Sequence, residues 1–148
     1  MNMLNEKNCK DEINAFTYED WETLLALIPE IERTSSFGQW LGFNVDKDGV
    51  IQLPYCVPAS IIDQFLENVY AMPIIIDFSW GKWNEGRNIL SDDNFDFDTI
   101  DLVTKCKLIT AIVRNDRFCE GALVSAFESG LILKILKSIE KEIKSKRK

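Results

Sequence analysis

The spacing of apolar and polar positions along the chain predicts mainly α-helices. In four segments, apolar side chains recur three or four residues apart, which places them on one face of a helix. These helices are expected to begin at Thr17, at Ser60, near Asp98 and near Asp116. Thr17 precedes two acids and suits an N-cap, and the fourth helix would be capped by Asn115 or Asp116.

Two prolines and a glycine are expected to interrupt these helices. Pro29 should kink or shorten the first helix near its end, because its ring removes a backbone hydrogen bond. Pro73 should end the second helix. Gly130 should break or thin the fourth helix before its apolar face continues from Leu131.

Two of the helical faces predict where particular side chains lie. The apolar face of the third helix leaves Lys105 and Lys107 on the outside. The apolar stripe of the fourth helix begins at Phe118 and continues through Ala122 and Phe127. We therefore expect both lysines outside the core and Phe118 within it.

Residues 37–55 have a different pattern, with glycines between aromatic side chains. Asp46–Gly49 is typical of a hairpin turn in which the glycine takes positive φ. It predicts two short strands, Trp40–Val45 and Val50–Leu53, and Pro54 and Pro58 should stop the second. Further on, residues 74–76 are expected to form a short buried strand, and residues 77–87 an aromatic- and glycine-rich loop.

These elements predict a mainly α fold, or α+β with a minor β-hairpin. Four to five helices would pack in antiparallel pairs, with the third and fourth forming the core hairpin. A chain of 148 residues is expected to form one domain. We place a flexible N-terminus at residues 1–16, a single globular domain at 17–140 and a basic C-terminal tail at 141–148.

The composition excludes several classes of catalytic and metal site. The chain has no histidine, which removes Ser-His-Asp and Cys-His catalysis and the histidine-containing zinc sites. Its four cysteines lie far apart without a CxxC pair and are expected to be buried small hydrophobes. Asp92, Asn94 and Asp96 imitate the start of a calcium loop, but Phe97 and Val103 replace its required glycine and glutamate. We therefore predict no metal and no cofactor.

The net charge of −7 is distributed unevenly. Residues 134–148 hold seven bases and two acids (+5), whereas residues 1–133 hold 10 bases and 22 acids (−12). An acidic body disfavours nonspecific nucleic-acid binding, which depends on neutralising phosphates. No apolar run reaches the roughly 18 residues that a membrane span needs. Since the first residues also lack the apolar stretch of a signal peptide, we expect a cytoplasmic protein that does not bind membranes.

A cluster of charges interrupts the most apolar part of the sequence. Its members, which lie between two apolar helical runs, are Arg114, Asp116, Arg117, Glu120 and Glu128. If the chain turns near residues 115–116, they gather at a corner where the arginines could clamp a carboxylate or a phosphate. The alternative is an internal ion-pair network that stabilises the two helix ends.

Tryptophans provide a second candidate site. Trp80 and Trp83 stand in the glycine-rich loop, and Trp40 lies in the first predicted strand. Exposed aromatic rings can stack on a base, a sugar or a cation. The alternative is that the three rings cover the core of a small domain.

The stretch from Leu108 to Gly130 resembles a known family. Its sequence, LITAIVRNDRFCEGALVSAFESG, is similar to the signature of a family of small bacterial proteins described as a domain of unknown function. The similarity extends to residues 24–30, 37–40, 48–51 and 78–83, so it covers most of residues 20–140. The resemblance implies a bacterial or mobile-element protein in the cytoplasm, and it carries no activity with it.

Three functions follow from these features. The first is a non-catalytic binding or regulatory module that recognises a protein partner or an anionic small molecule through Arg114, Arg117 and the aromatic loop. The second is a small enzyme acting on a nucleotide-like or phosphorylated substrate, with Glu120 or Glu128 as the acid–base group. The third, an acidic mimic of nucleic acid, would need its acids on one face. We prefer the first because no catalytic residue set is recognisable.

Overall fold

A computed structural model describes residues 4–42, 47–49 and 54–147 of the chain. Its helices are α1 Cys9–Ala15, α2 Tyr18–Leu25, α3 Leu27–Arg33, α4 Ser60–Ala71, α5 Asn84–Leu90, α6 Leu102–Asn115, α7 Ala122–Glu128 and α8 Leu131–Arg147. Its strands are β1 Leu4–Asn5, β2 Gly38–Leu41, β3 Tyr55–Pro58 and β4 Ile76–Asp77. The mainly helical fold is confirmed, and the described residues contain more helices than the four to five expected.

Helix α6 lies at the centre of the molecule. Helices α1, α5, α7 and α8 and strand β4 all pack against it. Ten of its fourteen residues are buried, as in a helix surrounded on all sides. It begins at Leu102 rather than near Asp98, because the Asp101 carboxylate accepts the Thr104 N–H at 2.8 Å and caps the helix there.

The first predicted helix forms as two helices. Thr17 is the N-cap of α2. Its hydroxyl accepts the Asp20 N–H, and the Asp20 carboxylate accepts the Thr17 N–H, so the two residues form a capping box. The break comes at Ala26 because the ring of Pro29 would clash with the Leu25 carbonyl of a continuous helix. In α3 the proline falls in the first turn, where its missing N–H costs nothing.

The segment before Thr17 contains structure that the apolar pattern did not indicate. Residues of the expected flexible terminus form α1, in which Cys9 and Ile13 are buried. Strand β1 pairs in parallel with β4, with Leu4 opposite Ile76. Only two apolar residues of this short helix face the core, so its periodicity is too weak to predict from sequence.

Strands β2 and β3 form a separate antiparallel ribbon. Trp40 lies opposite Cys56, and Gly38 lies opposite Pro58. Strand β3 begins after Pro54 and includes Pro58, which is tolerated because it is the last residue of the strand. The predicted strand Val50–Leu53 and residues 43–46 lie outside the described residues.

Residues 77–90 are more ordered than the predicted loop. Trp80–Lys82 form a 3₁₀ turn, and α5 follows from Asn84. The predicted strand at residues 74–76 is only partly correct: all three isoleucines are buried, but the strand is Ile76–Asp77. Thr110 of α6 holds this segment, because its hydroxyl accepts the Ile76 N–H at 3.0 Å and donates to the Cys106 carbonyl at 2.9 Å.

The prediction that Lys105 lies outside the core is wrong. Its side chain is 2% exposed, and its Nζ lies 2.8 Å from Glu142 Oε1 of α8. The apolar stem packs in the core while the carboxylate compensates the charge. Lys107 is partly exposed and forms an ion pair with Glu6 at 3.4 Å.

The segment between α6 and α7 also differs from the expected helix start. Helix α7 begins at Ala122 instead of Asp116, and residues 116–121 form turns that end at Gly121 with φ of 87°. Phe118 is therefore not on a helical stripe, and it is 81% exposed. Gly130, with φ of 83°, separates α7 from α8 as expected. In the part of the chain that the structure describes, no helix has the length and apolar character needed to cross a membrane.

Candidate functional site

A cavity of about 650 Å³ opens between α5, the 3₁₀ turn before it, the end of α6 and helix α7. This volume falls within the range of small-molecule sites in proteins. The cavity is lined by Trp80, Gly81, Trp83, Gly86, Arg87, Leu90, Ser91, Ala111, Ile112, Asn115, Ala122, Ser125, Ala126, Ser129 and Leu131.

One wall of the cavity is aromatic. Trp83 is fixed by an edge-to-face contact with Phe78, with ring centroids 5.4 Å apart. Gly86 makes this position possible, because a Cβ there would lie 2.1 Å from the Trp83 ring. Trp80 is partly buried and packs against Phe118 at 5.9 Å. The wall thus presents two large rings whose positions are set by their neighbours.

Helices α6 and α7 contribute several small side chains to the lining. Ala111 comes from α6, and Ala122, Ser125 and Ala126 come from α7. Small residues on these two packed helices leave the space that larger side chains would fill. The cavity is therefore built into the helix packing and does not depend on a loose surface loop.

Arg87 provides a cation at the cavity. Its Nη2 donates a hydrogen bond to the Gly81 carbonyl, which holds the guanidinium beside the 3₁₀ turn. Within the described ranges, no carboxylate forms an ion pair with Arg87. A guanidinium has five N–H donors in a planar fork that suits a carboxylate or phosphate. The sequence does not single out Arg87, because the glycines and aromatic residues of 77–87 predict a loop and draw attention to its rings.

The described lining of the cavity is mostly apolar and contains one ionisable group. Arg87 is the one ionisable side chain among the described residues that line the cavity. A general acid or base must lie within hydrogen-bond reach of the proton it moves. The arrangement can hold an apolar body against the rings and an anionic group at the guanidinium.

The charged corner lies beside this cavity and not in its lining. Of that segment, Asn115 and Ala122 line the cavity, whereas Arg114, Arg117 and Glu120 do not. The Asp116 carboxylate instead accepts the N–H of Leu123 at 3.0 Å. Asp116 therefore caps the first turn of α7, although it lies before the helix in the chain. Glu128 is exposed at the end of α7.

The acidic members of the corner face the ribbon. Burial raises the pKa of the Cys56 thiol, and the negative charges of Glu120, Asp116 and Glu128 raise it further. These carboxylates thus lie within electrostatic range of β3. A thiol in such surroundings stays protonated and is a poor nucleophile.

Trp40 joins the ribbon to the corner. It is 48% exposed, and its ring lies against Gly121, where an added Cβ would stand 2.7 Å from the ring atom Cζ2. The three tryptophans therefore do not form one surface: Trp80 and Trp83 line the cavity, and Trp40 covers the start of α7.

Comparison with known protein families gives one match. The sequence model of a family of unknown function, DUF6508, matches residues 16–145. The chain belongs to DUF6508. The match confirms the resemblance to a domain family of unknown function and includes every residue of the cavity lining. Comparisons with curated proteins and with solved structures give no match.

Metal binding finds no support in the described part of this DUF6508 chain. Over residues 4–42, 47–49 and 54–147, no group of three or more cysteine or carboxylate side chains could hold a metal ion. Residues 92–96, which imitate a calcium loop, lead into the 3₁₀ turn Phe97–Thr99. There Asp96 uses its side chain to accept the Asp98 N–H at 3.0 Å.

Proposed function

We propose that this DUF6508 chain is a non-catalytic binding module for a small molecule that has an apolar ring and an anionic group. The observation that carries the proposal is the cavity in which Trp80 and Trp83 face small side chains and Arg87 stands at the side. An apolar pocket with few convergent polar groups is the usual form of a ligand site. The ring would pack on the tryptophans, and the anion would bind the guanidinium.

The lining supports binding over the enzyme alternative. Acid–base catalysis at this cavity would need a carboxylate beside the substrate, yet Glu120 and Glu128 do not line it. The corner residues Arg114, Asp116 and Arg117 stay a predicted ligand site of their own. They are compatible with a protein partner, because Arg117 and Glu120 are exposed.

A pair of matched probes tests the proposal. Calorimetric titration with 1-naphthylacetate and with its neutral amide compares the same ring with and without a charge. We expect the acid to bind about tenfold more tightly, since hydrogen bonds to charged groups contribute roughly 1.5 kcal/mol or more. Arg87→Gln should remove the difference while leaving the binding of the amide unchanged.

A remote arginine provides the control. Arg33 is 67% exposed in α3 and forms an ion pair with Glu30. Arg33→Gln should therefore keep the preference for the acid. Equal binding of both probes by the unmodified protein would contradict the role of Arg87, and binding of neither would contradict the proposed ligand class.

A further inference from the structure

Phe118 is the most exposed large hydrophobic side chain of the described residues. It is 81% exposed, compared with 48% for Trp40 and for Tyr55. A single exposed apolar side chain needs no explanation, but contiguous apolar surface beside a pocket is typical of binding sites, and Phe118 is in contact with Trp80 of the cavity lining. Because Phe118 lies beside the cavity, its exposed ring can contact a ligand that extends out of the cavity.

Phe118 continues the aromatic wall of the cavity towards solvent. Its ring centroid lies 5.9 Å from that of Trp80, with the ring planes inclined at 42°. Its backbone N–H donates to the carbonyl of Asn115 at 3.0 Å, and Asn115 lines the cavity. The Phe118 backbone is thus fixed to the cavity wall, and an apolar path leads from Trp83 past Trp80 to Phe118.

The flanking charges favour an uncharged occupant for this path. Phe118 stands between exposed Arg117 and exposed Glu120, whose opposite charges offer no net attraction to an ion. The cation that would hold an anion is Arg87, on the cavity side of Trp80. The cavity therefore offers a cation at Arg87 and an apolar surface that continues from Trp80 onto Phe118.

We infer that the ligand is an elongated amphipathic carboxylate whose apolar tail leaves the cavity along the continuous ring surface of Trp80 and Phe118. This inference rests on the proposed function, since it extends the same cavity. The ligand class is an ω-aryl carboxylic acid, with its carboxylate at Arg87 and the end of its chain on the Phe118 ring. Phe118 is then a specificity-determining residue that selects for tail length.

A length series of ω-phenylalkanoates, from phenylacetate to 8-phenyloctanoate, tests the inference by calorimetry. Affinity should rise with length by up to about fourfold for each methylene removed from water. Phe118→Ser should abolish the gain of the longest members and leave the shortest unchanged. Phe118→Leu, which restores apolar surface, should recover part of the gain.

Tyr55→Ser is the matched control. Tyr55 is another exposed aromatic residue, but it lies on β3 and does not line the cavity. Its replacement should leave the whole series unchanged. If Phe118→Ser binds long and short members as the unmodified protein does, the inference is overturned while Arg87-dependent binding keeps the proposed function. If no member binds the unmodified protein, the inference is overturned together with the proposed function.

Discussion

Glu142→Gln should destabilise the protein far more than Lys105→Met. The Lys105 ammonium lies 2.8 Å from the Glu142 carboxylate, and the two side chains are 2% and 23% exposed. Removing the negative charge leaves a buried ammonium with a neutral amide and with the Ser138 carbonyl at 3.5 Å. Breaking a buried ion pair in this way costs about 3–5 kcal/mol.

A groove beside the Lys105–Glu142 pair places the cost of Glu142→Gln at the lower end of that range. A cleft of about 470 Å³ is lined by both side chains of the pair, so water can reach the carboxylate side. We therefore expect Glu142→Gln to lose about 3 kcal/mol in the free energy of unfolding. Lys105→Met replaces the charge by an apolar chain of similar shape and leaves Glu142 to hydrate, so it should cost about 1 kcal/mol.

Urea unfolding followed by tryptophan fluorescence measures the loss in the free energy of unfolding for both variants. The double variant Lys105→Met, Glu142→Gln completes a double-mutant cycle. The double variant should resemble Lys105→Met, because the amide no longer faces a buried charge. The exposed pair Arg33–Glu30 provides the control, and its disruption should stay within about 1 kcal/mol. A loss below roughly 0.5 kcal/mol for Glu142→Gln would refute the reasoning, since it would mean that the ammonium is hydrated through the groove.

Three further predictions concern local structure. Thr17→Ala removes the capping box of α2 and should cost about 1 kcal/mol in urea unfolding, whereas Thr17→Ser should cost little. Gly121→Ala should cost more than Gly130→Ala: both have positive φ, but only at Gly121 would the Cβ meet a tryptophan ring at 2.7 Å. Hydrogen bonds, of which the one donated by Lys141 has the largest effect, hold the pKa of Asp98 below its usual 3.8. Its ionised form thus stabilises the fold above that pH, and stability is lost as pH falls through the lowered pKa. Asp98→Asn should make the decline of the urea midpoint below pH 4 shallower, and an unchanged decline would contradict this assignment.

Helix periodicity and caps allowed much of the fold to be predicted from sequence. Ser60 and Pro73 bracket α4, and Gly130 separates α7 from α8, because these residues act through local backbone geometry. Helix α5 was missed since its seven residues have too little periodicity to outweigh the glycine within them. Periodicity and helix caps therefore predicted the long helices. They did not predict the short helices, whose formation depends on packing.

Side-chain positions in the site were harder to predict than the elements. Lys105 was placed outside because a single helix face cannot show that α8 brings a carboxylate to it. Phe118 was placed on a helical stripe because the apolar pattern does not show that α7 starts only after Gly121, which has positive φ and lies against the Trp40 ring. Trp80 and Trp83 could be proposed from their residue type alone. Arg87 lies beside these rings because it belongs to α5, and the sequence pattern did not predict that helix.

The packing of α2 and α3 has a consequence for biosynthesis. Both helices pack against α8, and α1 packs against α6, so early segments of the chain meet their partners late. During translation, α2 and α3 can pack on α4 early, but the parts of them that pack on α8 stay uncovered until residues 131–147 have left the ribosome. The N-terminal helices therefore complete their packing only after α8 has been made, and until then the nascent chain offers chaperones an apolar surface.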